Sequence, residues 1–514
     1  MATQSVLTAL GAHKWTLLAL ALALYTTGVC LYRRFFHPLA KVPGPFLAAT
    51  TKLYQSYYNR RFYLQIERLH QRYGPVVRIT PDEVHLADPD NYEQIYHMGS
   101  EYGKSPNFYN ALCVPQSTFG TPPNDIHKIR RGALNPMFSR RKVLELEAIV
   151  QSKAAKVCQR MQEGIDAGRA VDLHHAFRSV SVDVISDFAF DRCYDFLDKP
   201  DLGATFFEMA RGIGPAMWVF QQFPSFQAMA LKTPPWMAPY LSTPLGYVTS
   251  MQMECVGQVE DVKKRMADGK DVGRQTIFTT LLSGENKPEG YRIPTTWQLK
   301  DEAYSVLVAA ADTTGNAMTV AAFNVLHNPA IYAKLVAELE GKFPSQTEHL
   351  PFVELEKLPY LTAVIKEGLR LSFGVVGRLP RVVPPGGNTF NGFFIPEGYI
   401  VSMSSWMMHR NPAVFPDPMR FDPERWMAPE QFHRLEHHMV PFGRGPRQCV
   451  GMPLAYSELY VTLGSLFRRF PRGLTAGGTT EGCLQDYEDF FSSYHPYSRR
   501  QEWFHAVMRE DANA

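Results

Sequence analysis

The sequence predicts a mainly α protein with a minor β sheet (α+β), preceded by a helix that spans a membrane. Three observations predict it: an uncharged N-terminal run, a series of long patterns with helical period, and one stretch of short alternating runs punctuated by glycine and proline. The chain has 514 residues, 45% of them hydrophobic and 20% charged, an ordinary globular composition. Nothing between positions 47 and 514 reads as a linker, so that span is predicted to be one large domain. Charge is nearly balanced, 53 Lys+Arg against 50 Asp+Glu, which leaves no basic field for nucleic acid. The seven cysteines are odd in number and include no CxxC pair, which argues against a disulfide framework or a zinc cluster and for a reducing compartment. No Asn-x-Ser/Thr sequon occurs, in keeping with a body outside the secretory lumen.

Residues 15–32, WTLLALALALYTTGVCLY, carry no charge and then meet Arg33 and Arg34. This length suits a transmembrane helix, and a cleaved signal peptide would carry its basic flank before the apolar run rather than after it. Positive charge stays cytosolic, so the body is expected there too. Residues 1–37 are thus the anchor and its flank. Residues 38–46 follow as a proline hinge, in which Pro38, Pro43 and Pro45 forbid helix continuation, and residues 47–514 form the body.

In the body, residues 283–294 (SGENKPEGYRIP) form the clearest exposed loop. The longest helical pattern opens at Thr295, which has capping-box spacing to Gln298, and runs until Asn328-Pro329 stops it. That is roughly 33 residues, about 50 Å, enough to cross a whole domain. Its middle, SVLVAAADTTG, is apolar on nearly every side and marks a buried helix, yet it carries Asp312, Thr313 and Thr314. A helix with Pro329 in its first turn and Gly341 at its exit comes next, then another from Pro359. Residues 381–404 read as a small sheet with tight turns. The neighbours His437 and His438 point apart and read as part of a solvated loop, and His409 and Arg410 as packing.

Residues 441–451, PFGRGPRQCVG, place Cys449 after a glycine- and arginine-rich turn and just before a helical run. Gly443, Gly445 and Gly451 let the backbone turn sharply and approach something large and flat. Exposed amides at a helix start, with Arg444 and Arg447 nearby, would favour a thiolate. On this segment alone the alternative is a buried free cysteine beside an arginine-rich turn.

Phe442, Gly445, Arg447, Cys449 and Gly451 stand in the spacing Phe-x-x-Gly-x-Arg-x-Cys-x-Gly, a coincidence expected by chance in about one chain in ten thousand. This resembles the haem-ligand signature of the cytochrome P-450 superfamily. The resemblance implies haem b (iron-protoporphyrin IX) held between the long helix and the cysteine loop, with Cys449 as the thiolate ligand and Phe442, Gly443 and Gly451 in the loop around it. Glu367 and Arg370 in KEGLR and Arg425 in FDPERW resemble the family's structural triad, with Trp426 in place of the usual Phe. Arg131 resembles a propionate-binding arginine, as do Arg381 and Arg447. His127 stands where the family has Trp, either donating a hydrogen bond to a propionate or facing solvent. AAADTT, residues 309–314, resembles the oxygen-activation motif with Ala310 in place of Gly. Thr313 would then hold the distal proton network and Asp312 would feed it protons from outside.

The resemblance also implies substrate contacts within residues 107–120, 304–309, 373–378 and 217–237. The last holds two Trp, three Phe and three Met, and reads equally as packing core or as an entrance dipping into the bilayer. No phosphate loop, dinucleotide fingerprint or flavin segment appears, so electrons are expected from a separate NADPH-cytochrome P-450 reductase. HKIRRGALNPMFSRRKV is similar to the fungal branch that includes trichodiene oxygenases. The expected function is a monooxygenase on the endoplasmic reticulum membrane, single-pass with a cytosolic catalytic domain, using O2 to hydroxylate or epoxidise a lipophilic terpenoid or polyketide. The rivals are a haem-thiolate isomerase or dehydratase, and a non-catalytic haem sensor or carrier.

Overall fold

A computed structural model describes residues 2–269, 274–347, 349–480, 487–494 and 504–508, with side chains from Lys14 onward and excepting that of Ile213. Cys483 lies outside the described residues. The chain forms two compact units: Met1–Asn91 with Pro380–Met403, and Tyr92–Leu379 with Ser404–Ala514.

The first unit opens with the helix Ala2–Leu31, continued by a π-helical turn Tyr32–Phe36. Over Lys14–Phe36 mean hydropathy is 1.6 and nothing is buried, so this helix is a candidate membrane span. Residues 38–46, expected to act as a hinge, are instead tied down. Arg78, 1% exposed, donates to the carbonyls of Arg33 (2.9 Å), Leu39 (3.4 Å) and Pro81 (2.8 Å). Its own backbone N–H donates to Pro43 at 2.7 Å. A buried guanidinium must spend its donors on whatever acceptors surround it, and here those are the carbonyls that prolines leave without helical partners. Strand Val76–Thr80 pairs antiparallel with Glu83–Leu86, which runs parallel to Ile400–Ser402, which in turn pairs antiparallel with Arg381–Val382. A hairpin of Asn388–Phe390 and Phe393–Ile395 completes the small sheet region expected at 381–404.

The second unit is helical and built around Thr296–His327. The capping box is formed at its start, Thr295 accepting from the Gln298 N–H while Gln298 Oε1 accepts from the Thr295 N–H at 2.9 Å. This helix is also long and apolar enough to cross a membrane, but 72% of its apolar window is buried, so it is a core helix. Leu173–Phe190, Thr243–Ala267, Pro359–Ser372 and Met452–Arg469 pack on it. Gly315 makes the first of these contacts possible, because a Cβ there would lie 2.6 Å from Cγ and 2.8 Å from Cα of Arg178. The helix Pro329–Lys342 runs one residue past Gly341. His437 and His438, expected in a loop, end the helix Pro429–His438, which Pro429 starts at its first turn, and their rings meet edge to face at 5.0 Å.

Candidate functional site

The loop 441–451 is shaped by its own backbone. The Cys449 N–H donates to the Phe442 carbonyl at 2.9 Å, and Gly443 N–H to Val440 at 3.1 Å. Gly443 and Gly445 take left-handed φ values of 63° and 71°. At Gly445 a side chain is also excluded by space, since a Cβ would meet the Tyr96 and His97 carbonyl oxygens at 2.5 Å. The Phe442 ring packs against Tyr456 at 5.3 Å. Gly451 is the N-cap position of Met452–Arg469, which puts the sulfur at a helix start.

Cys449 is exposed by surface, whereas every other described cysteine is buried or half-buried. Protein nonetheless surrounds it, and this burial pushes its thiol up, opposed by the N–H groups of Gly451 and Met452 and by the Arg131 guanidinium. A side chain that is open to a solvent-sized sphere and yet desolvated faces a hollow inside the protein. Among the described residues no group of three or more His, Cys, Asp or Glu could hold a bare metal ion. One sulfur ligand in a hollow fits a metal that brings its remaining ligands with it, as an iron porphyrin does.

Arg131 and Arg447 flank this loop, both engaged with protein acceptors. Arg131 donates to the Gln448 carbonyl and to Asn135 Oδ1, both at 2.6 Å. Arg447 donates to the carbonyls of Thr121 (2.6 Å) and Pro122 (2.7 Å) and to Asn124 Oδ1 (2.8 Å). His127, on the helix Asn124–Leu134, is 5% exposed, which overturns the solvent-facing alternative: the apolar face of that helix turns inward and takes the ring with it. Arg381 begins a strand of the other unit, 4% exposed, donating to the Pro380 carbonyl at 3.1 Å.

Behind the loop lies a buried ionic lock. Glu367 accepts from Arg370 and, at 2.7 Å, from Arg425 Nε, and all three side chains are at most 5% exposed. Arg370 also donates to the carbonyls of His409 (3.0 Å) and Arg420 (3.0 Å), and the Asp422 N–H donates to Glu367 at 2.9 Å. His409 does more than pack, a role that no periodic signal in the sequence reveals. Its Nδ1 lies 3.1 Å from the Arg370 carbonyl, while the Val440 N–H donates to Nε2 at 3.0 Å. With Nδ1 protonated both bonds form, so a neutral ring joins the lock to the start of the cysteine loop. Burial and the Arg370 charge hold His409 down at about 3.

On the long helix, Thr313 Oγ1 donates to the Ala309 carbonyl at 2.9 Å. Ala309 is exposed and Val306, Ala310 and Thr313 are half-buried, although Leu307, Ala311, Asp312 and Thr314 around them are buried. The three- and four-residue spacing puts the open positions on one face of the helix. Gly374 adjoins it, since a Cβ there would lie 3.9 Å from Thr313 Cβ. Asp312 departs from the expected role of feeding protons from outside. It is 3% exposed, and its Oδ1 accepts from Arg178 Nε at 3.0 Å and from Arg211 Nη2 at 2.8 Å. Burial alone would raise its carboxyl, but Arg211 and Arg178 hold it down at about 2. A carboxylate between two buried arginines is held in its ionised form.

The segment 217–237 splits between its two readings. Met217 and Phe220 join Ala111 and Cys113 in an apolar cluster with Phe491 beside it. From Phe223 onward most apolar side chains are exposed, Met229 by 63% and Trp236 by 72%, while Ala230 and Met237 are half-buried. Phe491, whose ring meets Phe119 at 5.3 Å, lies outside every segment singled out by sequence; its one structural mark is a left-handed φ of 74°.

The family model described as Cytochrome P450 matches residues 41–481. A cytochrome P450 monooxygenase, macH, of Penicillium terrestre is 34% identical over 93% of this chain and 95% of its own length. Conidiogenone synthase PchP450 of Penicillium rubens is 36% identical over 88% of this chain and 91% of its own. The tryptophan 6-hydroxylase fscE of Fusarium equiseti is 34% identical over 90% of this chain and 91% of its own.

Proposed function

The chain belongs to the cytochrome P450 family, and from that premise we propose that it hydroxylates or epoxidises a lipophilic natural product of terpenoid or polyketide type in fungal secondary metabolism. It is an oxygen-incorporating oxidoreductase. The observation that carries the residue assignment is Cys449, an open sulfur in a desolvated interior with two amide N–H groups directed at it.

Cys449 holds the haem iron as a thiolate. The Gly451 and Met452 amides and the Arg131 charge favour that ionised form and draw off part of its electron density. Phe442, Gly443 and Gly451 would shape the loop that receives the haem, while Arg131 and Arg447, with His127, would serve its propionates. Haem b, when bound, supplies oxygen activation: one O2, two electrons and two protons give one oxygen atom in the product and one water. Thr313 holds a proton at Oγ1 on the open face of the long helix, released from the Ala309 carbonyl when a better acceptor arrives. Asp312 is a positioning residue. Its ion pairs with Arg178 and Arg211 fix the helix that presents Thr313.

Electrons come from NADPH through a separate reductase. The helix ending in Arg33 and Arg34 anchors the protein to the endoplasmic reticulum membrane with its body in the cytosol. Purified holoenzyme supplied with NADPH, reductase, labelled O2 and an extract containing the substrate should place one labelled atom in a new product. Turnover without NADPH, or a product carrying no label, contradicts this function.

A further inference from the structure

Buried polar atoms in folded proteins find partners, and one left alone is destabilising. Two side chains of the long helix and one of the helix Ile213–Gln222 break this rule. The hydroxyls of Tyr304 and Ser305, and both polar atoms of the Gln221 amide, are covered and have no hydrogen-bond partner among the described residues. Tyr304 is 3% exposed, and burial pushes its phenol well above the ordinary value.

Their placement is coherent. Ser305 precedes Ala309 by four residues and Thr313 by eight, which puts it on the same face. Thr313 and Thr319 in the same helix each donate to the carbonyl four residues back, at 2.9 Å, but Ser305 does not. After burial, Cys255 and then Cys113 raise the Tyr304 phenol, so its ring lies near both cysteines, and Cys113 belongs to the apolar cluster of Met217 and Phe220. Gln221 follows Met217 by four residues and so shares its helix face. The charged neighbours are committed elsewhere: Lys300 pairs with Asp301 (2.9 Å), and Glu302 accepts from Thr118 Oγ1 (2.9 Å). An apolar cluster edged by uncharged donors and acceptors without partners suits a ligand that is mostly apolar and carries neutral oxygen.

We propose that Tyr304, Ser305 and Gln221 form a polar anchor selecting a substrate that already carries a neutral oxygen function, such as a ketone, lactone or alcohol. The inference rests on the monooxygenase reading and narrows its substrate class. Ser305 stands eight residues from Thr313, about 12 Å along the helix axis, the span of a fused ring system. Oxidation therefore falls at the end of the molecule remote from the oxygen already present. An earlier reaction must have supplied that oxygen, either an oxygenation or a chain assembly that retains carbonyls. The enzyme acts on an oxygenated skeleton and not on a bare hydrocarbon.

The test uses holoenzyme and two probes sharing one skeleton, the hydrocarbon valencene and its ketone nootkatone, with binding read from the Soret shift. The ketone should bind about tenfold tighter, the equivalent of one satisfied hydrogen bond. Tyr304→Phe, Ser305→Ala and Gln221→Leu should each reduce that ratio, and the triple variant should bring it near one. Equal binding of the two probes, no response to the ketone, or a ratio unmoved by all three substitutions overturns the anchor. A second readout needs no ligand. Tyr304→Phe should leave Tm of the ligand-free protein unchanged or raised, and a lowered Tm would show that the hydroxyl is already bonded. The carbon-monoxide difference band is read on the same samples. A preparation with the band but without the preference refutes the anchor alone; one without the band refutes the haem-thiolate reading and the anchor with it.

Discussion

The two ends of the second unit's core treat polar groups in opposite ways. Around the cysteine loop bonding is dense: Glu367 is shared by two arginines, Arg370 also reaches backbone carbonyls, and His409 uses both ring nitrogens. Tyr304 and Ser305 on the long helix, and Gln221 on the helix Ile213–Gln222, are left without partners among the described residues. Rigidity belongs where one sulfur must be held at one place, and unfilled bonding capacity belongs where a variable molecule must be recognised. The same split separates what a substitution should do to the fold from what it should do to the chemistry.

The largest effect is expected at the lock. Glu367→Ala leaves two buried guanidiniums without their carboxylate, at a cost of about 3–5 kcal/mol, and should yield little haem-loaded protein, measured as the ratio of Soret to protein absorbance. Asp312→Asn removes the partner of two other buried arginines and should cost about 3 kcal/mol in urea unfolding. Because the carboxyl of Asp312 is held at about 2, below its ordinary 3.8, its contribution is present above pH 4 and is lost only as pH falls through 2. No titration of Asp312 should therefore appear in the working pH range. A rate profile between pH 5 and 9 that changes shape in Asp312→Asn would restore it to the proton path.

Thr313→Ala comes next and acts on chemistry alone. It should keep Tm near the parent value while sending most reducing equivalents to peroxide, measured as product formed per NADPH consumed. Full coupling would remove Thr313 from the proton path. His409 brings a smaller effect tied to pH. Burial holds it at about 3 against an ordinary 6.5, so it is neutral when folded and protonates only on unfolding. Its stabilising contribution is complete above pH 6.5 and declines as pH falls from there toward 3, and His409→Gln should flatten that slope in urea midpoints. The smallest effect is expected at the exposed patch, where Trp236→Ser should change stability by no more than about 0.5 kcal/mol. Combined with deletion of residues 1–34, it should lower the fraction of protein that sediments with membranes.

Legibility followed the length scale of each signal. The long helix was readable because capping, period and the stop at Asn328-Pro329 are local, and the cysteine loop because its residues are contiguous. The pairing of Glu367 with Arg425 could be anticipated from the family pattern alone, since 58 residues separate them. The ion pairs of Asp312 were not legible because its partners Arg178 and Arg211 lie 134 and 101 residues away, on helices whose registry no local pattern records. His409 and Phe491 were missed for the same reason, one acting through backbone groups of other segments and the other placed by an unusual φ. The unpartnered hydroxyls could not be read at all, because the absence of a bond is a property of the packed structure.

The central claim is that Cys449 is the thiolate ligand of the haem, and the most direct measurement is the carbon-monoxide difference spectrum of the reduced protein beside that of Cys449→Ser. The parent should show the long-wavelength Soret band that thiolate ligation produces, and the variant should lose it while the lock keeps the polypeptide folded. An unchanged band in the variant, or a parent whose band is that of nitrogen ligation, would contradict the account.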